Sequence, residues 1–258
     1  MQDGVYNGVF GALTQQHKLD IISNNLSNAN TAGFKQKKLA FEDTFNHYAH
    51  DLADPNPALK GGVRWPEADV MTQPRISESS IDFSQGGMRK TGNSLDLAIQ
   101  GEGFFKVQTE EGEFFTRNGA FTLNSRGFLV NSSGHRLMGE GGPIQIGNAG
   151  KIDVNATGGI TVDGNMQDQI SVRTVSDLDA LEKRGENLLQ LQEDTEAREV
   201  PAQNASIRQG FLEESNVQIV GEMVRMIETM RTFQACQKAM KSSNENDSQL
   251  IQKVGNPG

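Results

Sequence analysis

Enzyme or metal chemistry would begin at histidine, cysteine and carboxylate side chains, and in this 258-residue chain these are few or poorly spaced. The histidines are His17, His47, His50 and His135. His47 and His50 stand three apart and would share a helix face, but two nitrogens without a third ligand in register make a poor metal site. Cys236 is the one cysteine, so an internal disulfide and a Cys-rich zinc site are excluded. It has no histidine near it in sequence, and a packed thiol is a better reading than a nucleophile. Glu110, Glu111 and Glu113 flank Gly112 as a solvated turn, and Asp177 with Asp179 opens a short helix over 177–184, where negative charge meets the helix dipole favourably. Gly139-x-Gly141-Gly142 runs into Pro143 and a strand, so it is a turn and no phosphate loop. The expectation is a protein that is not an enzyme, with no catalytic residues, cofactor or metal.

A different cluster is informative. Asn24, Asn25, Asn28 and Asn30 fall within seven positions, alternating with Leu26, Ala29 and Ala32 before Gly33-Phe34-Lys35. Asparagines suit a helix C-terminus and turn. Their amides also donate and accept, which serves a surface that must bond to a copy of itself.

Composition narrows the class. A net charge of −9 disfavours nucleic acid and acidic lipid surfaces. A mean hydropathy of −0.53 with 35% apolar residues is thin for one compact globule. No apolar run approaches the roughly 18 residues of a membrane span, and the N-terminal stretch has neither the basic nor the apolar part of a cleavable signal. Export, if it occurs, is expected to use another route.

The elements that must position the asparagine cluster read as helix, β-rich middle, helix. Seventeen of the 28 glycines lie in residues 86–165, where they punctuate short strands. Leu95, Leu97 and Ile99 alternate, as do Ile144/Ile146, Ile152/Val154, Ile160/Val162 and Ile170/Val172, and Asn118-Gly119 is the strongest hairpin signal. In the N-terminal segment Val5, Val9, Ala12, Gln16, Leu19, Ser23 and Leu26 form a narrow seam at 4-3 spacing, weakened by Gly4, Gly8 and Gly11. In the C-terminal segment Met223, Met226, Met230, Phe233, Gln237 and Met240 continue a seam widened by Val220, Val224 and Ile227. That methionine stripe reads as packing core, and a helix of roughly 40 residues calls for a coiled-coil or bundle partner. Residues 36–85 hold four of the seven prolines and read as an extended connector, and 192–207 as a return connector.

Three blocks carry a resemblance. NNLSNANTAGFK at 24–35, SLDLAIQGEGFFKV and FTRNGAFTLNSRGFLVNSSGHRLMG in the middle, and QGFLEESNVQIVGEMVRMIETMRTFQACQKAM at 209–240 resemble the bacterial flagellar rod and hook family, in that family's order. The resemblance implies an α+β fold: terminal helices forming a coiled-coil inner layer, with a glycine-rich, mainly antiparallel β domain between them. The division is then 1–35, 36–85, 86–191, 192–207 and 208–258. It also implies an axial subunit of the basal-body rod in the periplasm, transmitting torque. Partners would be copies of itself, other rod subunits and the flagellar type III export apparatus, with no nucleic acid and no lipid anchor. GHRLMGEGGPIQIG and the short connector resemble the proximal rod branch more than the distal rod or hook branches. The expected assembly interface comprises Val5, Val9, Leu19, Leu26, Asn24, Asn25, Asn28, Gly33 and Phe34, with Met223, Met226, Ile227, Met230, Phe233 and Met240. Val5, Val9, Leu19 and Leu26 would pair with the C-terminal seam. The rival is a soluble surface- or carbohydrate-binding β protein, for which Trp65, Tyr6 and Tyr48 lie outside the β middle.

Overall fold

The structure, a computed structural model, describes residues 2–39, 79–147, 150–192, 195–202 and 204–255, with side chains between residues 8 and 245. Most of the connector expected at 36–85 lies outside these residues, with His47, His50, Tyr48 and Trp65. The chain forms two compact units, one of residues 1–24, 38–80 and 220–258 and the other of residues 25–37 and 81–219.

The first unit is built on two helices, α1 (Gln2–Ser27) and α2 (Ile219–Gly255). The expected C-terminal segment of 208–258 is thus helical only from Ile219; the part before it is strand and extended chain. Among the described residues, no helix is long and apolar enough to cross a membrane.

Along the chain the strands are β1 (Lys37–Leu39), β2 (Ser79–Ile81), β3 (Met88–Lys90), β4 (Leu97–Gln100), β5 (Phe104–Gln108), β6 (Glu113–Thr116), β7 (Thr122–Leu123), β8 (Leu129–Val130), β9 (Arg136–Gly139) and β10 (Gly142–Pro143). They continue with β11 (Ile152–Val154), β12 (Gly159–Val162), β13 (Asn165–Gln169), β14 (Val172–Val175), β15 (Leu181–Gly185), β16 (Leu188–Leu191), β17 (Glu199–Pro201), β18 (Ser206–Gln209) and β19 (Phe211–Glu213). The main sheet of the second unit runs β15-β16-β6-β5-β9-β8-β7, with β14 joining β5 and β17 at its far edge. β11-β12-β13, β18-β4 and β19-β3 form smaller antiparallel sheets.

Alternation decides what lies on each face. In the β5–β6 ladder Val107 pairs with Phe114 and Lys106 with Phe115. Phe105, Val107 and Phe114 therefore join Leu97, Ile99, Phe121, Leu137 and Ile144 in the main core, while Phe104 and Phe115 pack on the opposite face with Val175, Leu181 and Leu189. The alternating pairs read from Leu97 to Val172 all lie in or against that main core. Phe105 and Phe121 meet edge to face at 5.4 Å, a favourable quadrupole geometry.

Three turns repeat one device. Asn124, Asn131 and Asn155 each accept two backbone N–H groups through Oδ1 and end in a glycine three residues on. An asparagine carbonyl here stands in for a backbone acceptor.

Three sequence expectations need correction. The short helix over 177–184 is only a 3-10 turn at Leu178–Ala180, capped by Asp177, and the chain then enters β15. Leu181, paired with Leu191 across the β15–β16 ladder, is needed in the second cluster with Leu189, and this outweighs the helical composition. The stretch 192–207 carries β17 and the start of β18, which pair with β14 and β4. Asn118-Gly119 does not join a hairpin, since β6 pairs with β5 and β16, and β7 with β8.

Candidate assembly interface and its anchor

The helices of the first unit meet through glycine. A Cβ added at Gly8 would lie 2.6 Å from Met240 Cγ, and one at Gly11 would lie 3.4 Å from Cys236 Sγ. Contacts that descend in α2 as they rise in α1 make the pair antiparallel. The glycines cost helix propensity, but they admit Met240 and the Cys236 thiol close to the α1 backbone.

This close approach sets the phase of both seams. On α1, Ala12 and Ile22 are buried and Leu19 half-buried, while Val9, Phe10 and Leu13 are exposed. The inward stripe thus contains Gly8, Ala12, Leu19 and Ile22: Ala12 and Leu19 belong to the expected seam, while Gly8 and Ile22 take the places of its members Val9 and Ser23. Only the backbone of Val5 is described. On α2, Glu222, Met226, Thr229, Phe233, Cys236 and Met240 are buried or half-buried at 4-3 spacing. Val220 at 76%, Met223 at 49%, Val224 at 51%, Ile227 at 53% and Met230 at 46% form a second, outward stripe. The expected residues therefore divide: Met226, Phe233 and Met240 turn inward, and Met223, Ile227 and Met230 outward.

The asparagine segment belongs to the second unit from Asn25 onward. Asn25 is buried; its Nδ2 donates to the Lys37 carbonyl at 2.9 Å and its Oδ1 accepts from the Lys37 N–H at 3.0 Å. One side chain thus imitates a strand neighbour. Asn24 is exposed, Leu26 is half-buried, and Asn28 is half-buried in a turn where Oδ1 accepts from the Thr31 hydroxyl. Gly33 has φ of +68°, and a Cβ there would lie 2.3 Å from the Arg117 carbonyl carbon. Its N–H donates to the Glu213 carbonyl at 2.8 Å. Phe34 is buried, with the Lys183 ammonium 3.8 Å from its ring centroid. Asn25, Gly33 and Phe34 are therefore all buried within the single chain.

Beside them lies a buried ion cluster drawn from all three sequence blocks. Glu213, fully buried, accepts from Lys35 Nζ at 2.6 Å and from the Arg117 guanidinium at 3.2 Å, and its Oε1 also accepts from the Gly86 N–H at 3.0 Å. Arg117 spends further donors on the Gly101 and Ile99 carbonyls. Burial lowers the pKa of Lys35 and of Arg117, and Glu213 opposes the shift in both. Asn216 completes the knot, accepting from the Gln36 N–H and donating to the Asp82 and Ser84 carbonyls. The sequence blocks contain these residues, but an acid between Leu212 and Glu214 carries no signal that it is buried. For Gly8 and Gly11 the available signal was three-residue spacing on a helix, which is as readable as a packing groove as it is as a weakness.

Lys183 supplies a pH test. Burial, with Lys37 as a second cause, brings its ammonium down to about 8, although its Nζ also donates to the Lys35 carbonyl. In the unfolded chain a lysine titrates near 10.4. Between these values the unfolded state binds more protons, so stability rises with pH through that window and levels off above it. From pH 7.5 to 9.5 the wild-type gain at this group is about 1–2 kcal/mol. Urea unfolding of Lys183→Met should lack this increment; an unchanged pH slope would place the titration elsewhere.

Among the described residues no group of three or more His, Cys, Asp or Glu side chains is placed to hold a metal ion.

Comparison with known proteins matches all three blocks to family profiles. Residues 6–35 match the flagella basal body rod protein family, 98–162 the flagellar hook protein FlgE/F/G D1 domain, and 208–253 the flagellar basal body rod FlgEFG protein C-terminal region. The chain is 35% identical over 257 residues to the flagellar basal-body rod protein FlgF of Caulobacter vibrioides, covering 99% of each. It is 32% identical over 270 residues to the flagellar basal-body rod protein FlgG of Bacillus subtilis, covering 97% of this chain and 98% of that one. A flagellar hook protein FlgE of Treponema pallidum is 37% identical over 142 residues, covering 54% of this chain and 30% of the hook protein. With full-length relatives above 30% identity and the three blocks in order, the chain belongs to the flagellar basal-body rod and hook protein family.

Proposed function

We propose that this chain is a non-enzymatic structural subunit of the flagellar basal-body rod, in its proximal part, polymerising through its terminal helices to carry torque across the periplasm. In this reading α1 and α2 pair as a coiled coil in an inner layer and the β unit lies outside it. Copies of the same chain and other rod subunits are its neighbours, and the flagellar type III apparatus exports it. The rod proteins match at 35% and 32% identity over nearly the full length of both chains, whereas the hook protein is covered to only 30%, and this difference in coverage supports the rod over the hook.

The observation that carries the reading is the outward apolar stripe of α2, Val220, Met223, Val224, Ile227 and Met230. Each is about half exposed or more, and full burial of such a side chain is worth about 1.5–3 kcal/mol. The stripe can therefore contribute on the order of 5 kcal/mol per subunit. That only matches the low end of the cost of joining two molecules, about 4–15 kcal/mol. One such contact leaves the subunit monomeric, whereas several at once on a growing helical end hold it. Non-closing, heterologous contacts of this kind generate a tube.

Ile227→Asp tests the reading. The side chain is 53% exposed, so stability of the purified chain should fall by only about 1 kcal/mol, for the half that is covered, while the subunit disappears from isolated basal bodies and swimming is lost. Normal motility with the variant in the rod would refute it. The proximal assignment has its own check: the chain should stay in basal bodies from cells lacking the distal rod subunit, and its loss there would make it distal.

A further inference from the structure

Heptad seams lined by glycine, alanine and methionine are permissive. Sliding α1 by seven residues along α2 would again set small residues or flexible side chains opposite one another, because Gly4 and Gly11 are themselves seven apart. Something must choose among these registers, and a buried polar group is the best-attested device for doing so.

Counting along the chain identifies one. Lys35 lies 27 residues after Gly8, and Met240 lies 27 residues after Glu213. Lys35 lies 24 residues after Gly11, and Cys236 lies 23 after Glu213. Gly8 faces Met240 and Gly11 faces Cys236 in the first unit, while Lys35 is bonded to Glu213 within the second. Counted along the chain, the ion-paired residues thus stand the same number of residues from the Gly8–Met240 contact, and within one residue of the same number from the Gly11–Cys236 contact. The Gly33 N–H on the Glu213 carbonyl and the Gln36 N–H on Asn216 fasten the same two segments.

We propose that the buried Lys35–Glu213–Arg117 cluster is the register anchor of the terminal helix pair. It clamps the segment leaving α1 to the segment entering α2, so that nearly equal numbers of residues run from one fixed point to each helix contact. The two helices then meet in a single register and not a heptad away. This deepens the rod reading, in which every subunit must present the same outward stripe, but the anchor itself is a property of the single chain.

Cys236 is the chain's one cysteine and serves as the reporter. In the purified full-length chain under mild oxidation, Gly11→Cys should form an intramolecular disulfide with Cys236, since a Cβ at position 11 already lies 3.4 Å from its Sγ. Gly4→Cys and Lys18→Cys report the registers slipped by one heptad either way, and should cross-link about tenfold less, the factor that an ordinary coupling energy supports. Adding Glu213→Gln, or Lys35→Met as a second and milder variant, should raise the slipped products several-fold relative to the native one. Exchange protection of β5 and β6 confirms in the same samples that the β unit stays folded.

Equal yields at positions 4, 11 and 18 in the otherwise native chain would overturn the proposal, whether or not the variants fold. So would unchanged ratios in a folded Lys35→Met chain. Absence of the protein from basal bodies would sink the rod reading and leave these cross-linking ratios untouched, so the two failures are distinguishable.

Discussion

Glu213→Gln is expected to destabilise the β unit by about 3–5 kcal/mol, the usual result of removing one member of a buried ionic group. Glu213 is fully buried and is the only acid in direct contact with the Lys35 ammonium and the Arg117 guanidinium among the described residues. Glutamine keeps the shape and one acceptor oxygen, so the Gly86 N–H and one cation can still find a partner. The charge is what disappears, leaving two buried cations with only the more distant carboxylates of Asp82, for Lys35, and Glu102, for Arg117, to offset them. Lys35 can shed its proton, and its pKa is already lowered by burial; Arg117 cannot at any accessible pH. The double variant Lys35→Met/Glu213→Gln should therefore recover part of the loss by removing one orphaned cation. Urea unfolding followed through the β unit measures all three chains. A loss below about 1 kcal/mol for Glu213→Gln would mean that water reaches the cluster and that it is not a dry ionic core.

The β unit was legible because strand alternation and burial are one fact. Leu97 and Ile99, Ile144 and Ile146, and Ile160 and Val162 point inward in the structure for the same period-two reason that made them readable. The helices were legible as elements but only partly in phase. A seam drawn through apolar residues selects Val9, whereas the packed face selects Gly8 and Gly11 because backbone can come closest there. Hydrophobicity cannot distinguish an inward stripe from an outward one when a helix carries both. Val220, Met223, Val224, Ile227 and Met230 are as apolar as Met226, Phe233 and Met240, and only the position of α1 separates them.

The asparagine segment was legible as a specialised segment but not in its geometry. Its amides fit the reading of a surface that bonds to a copy, and Asn25 instead bonds the same chain, at Lys37. Twelve residues is a short loop, and its closure is cheap beside an intermolecular contact. The ion cluster could not be read at all. Lys35, Arg117 and Glu213 are 82 and 96 residues apart along the chain, and nothing local marks a lysine, an arginine or a glutamate as buried.

Gly119→Ala should be the most damaging single-methyl change in the β unit. Asn-Gly reads as a hairpin turn, in which the glycine would supply a left-handed backbone, and an alanine there would be merely strained. The structure gives Gly119 another task. Its carbonyl accepts the Leu97 N–H at 2.9 Å, Asp96 and Ala120 form an isolated antiparallel bridge beside it, and a Cβ would sit 1.6 Å from the Leu97 carbonyl oxygen. The obstacle is backbone, and the residue that owns it is fixed on both sides: Leu97 and Ile99 lie in the main core, while β4 is paired with β18 through Leu97–Gln209. Relief would require β4 to move away from the sheet or the bridge to open, and either exposes core. The expected loss is about 3 kcal/mol or more, at or beyond the top of the range for overpacking. Gly141→Ala is the matched control, because nothing lies within 4 Å of its added Cβ, and it should change stability by no more than about 0.5 kcal/mol. If urea unfolding showed the two alanine variants alike, Gly119 would be a turn residue after all, and the close crossing of β4 would not be what holds the chain at this position.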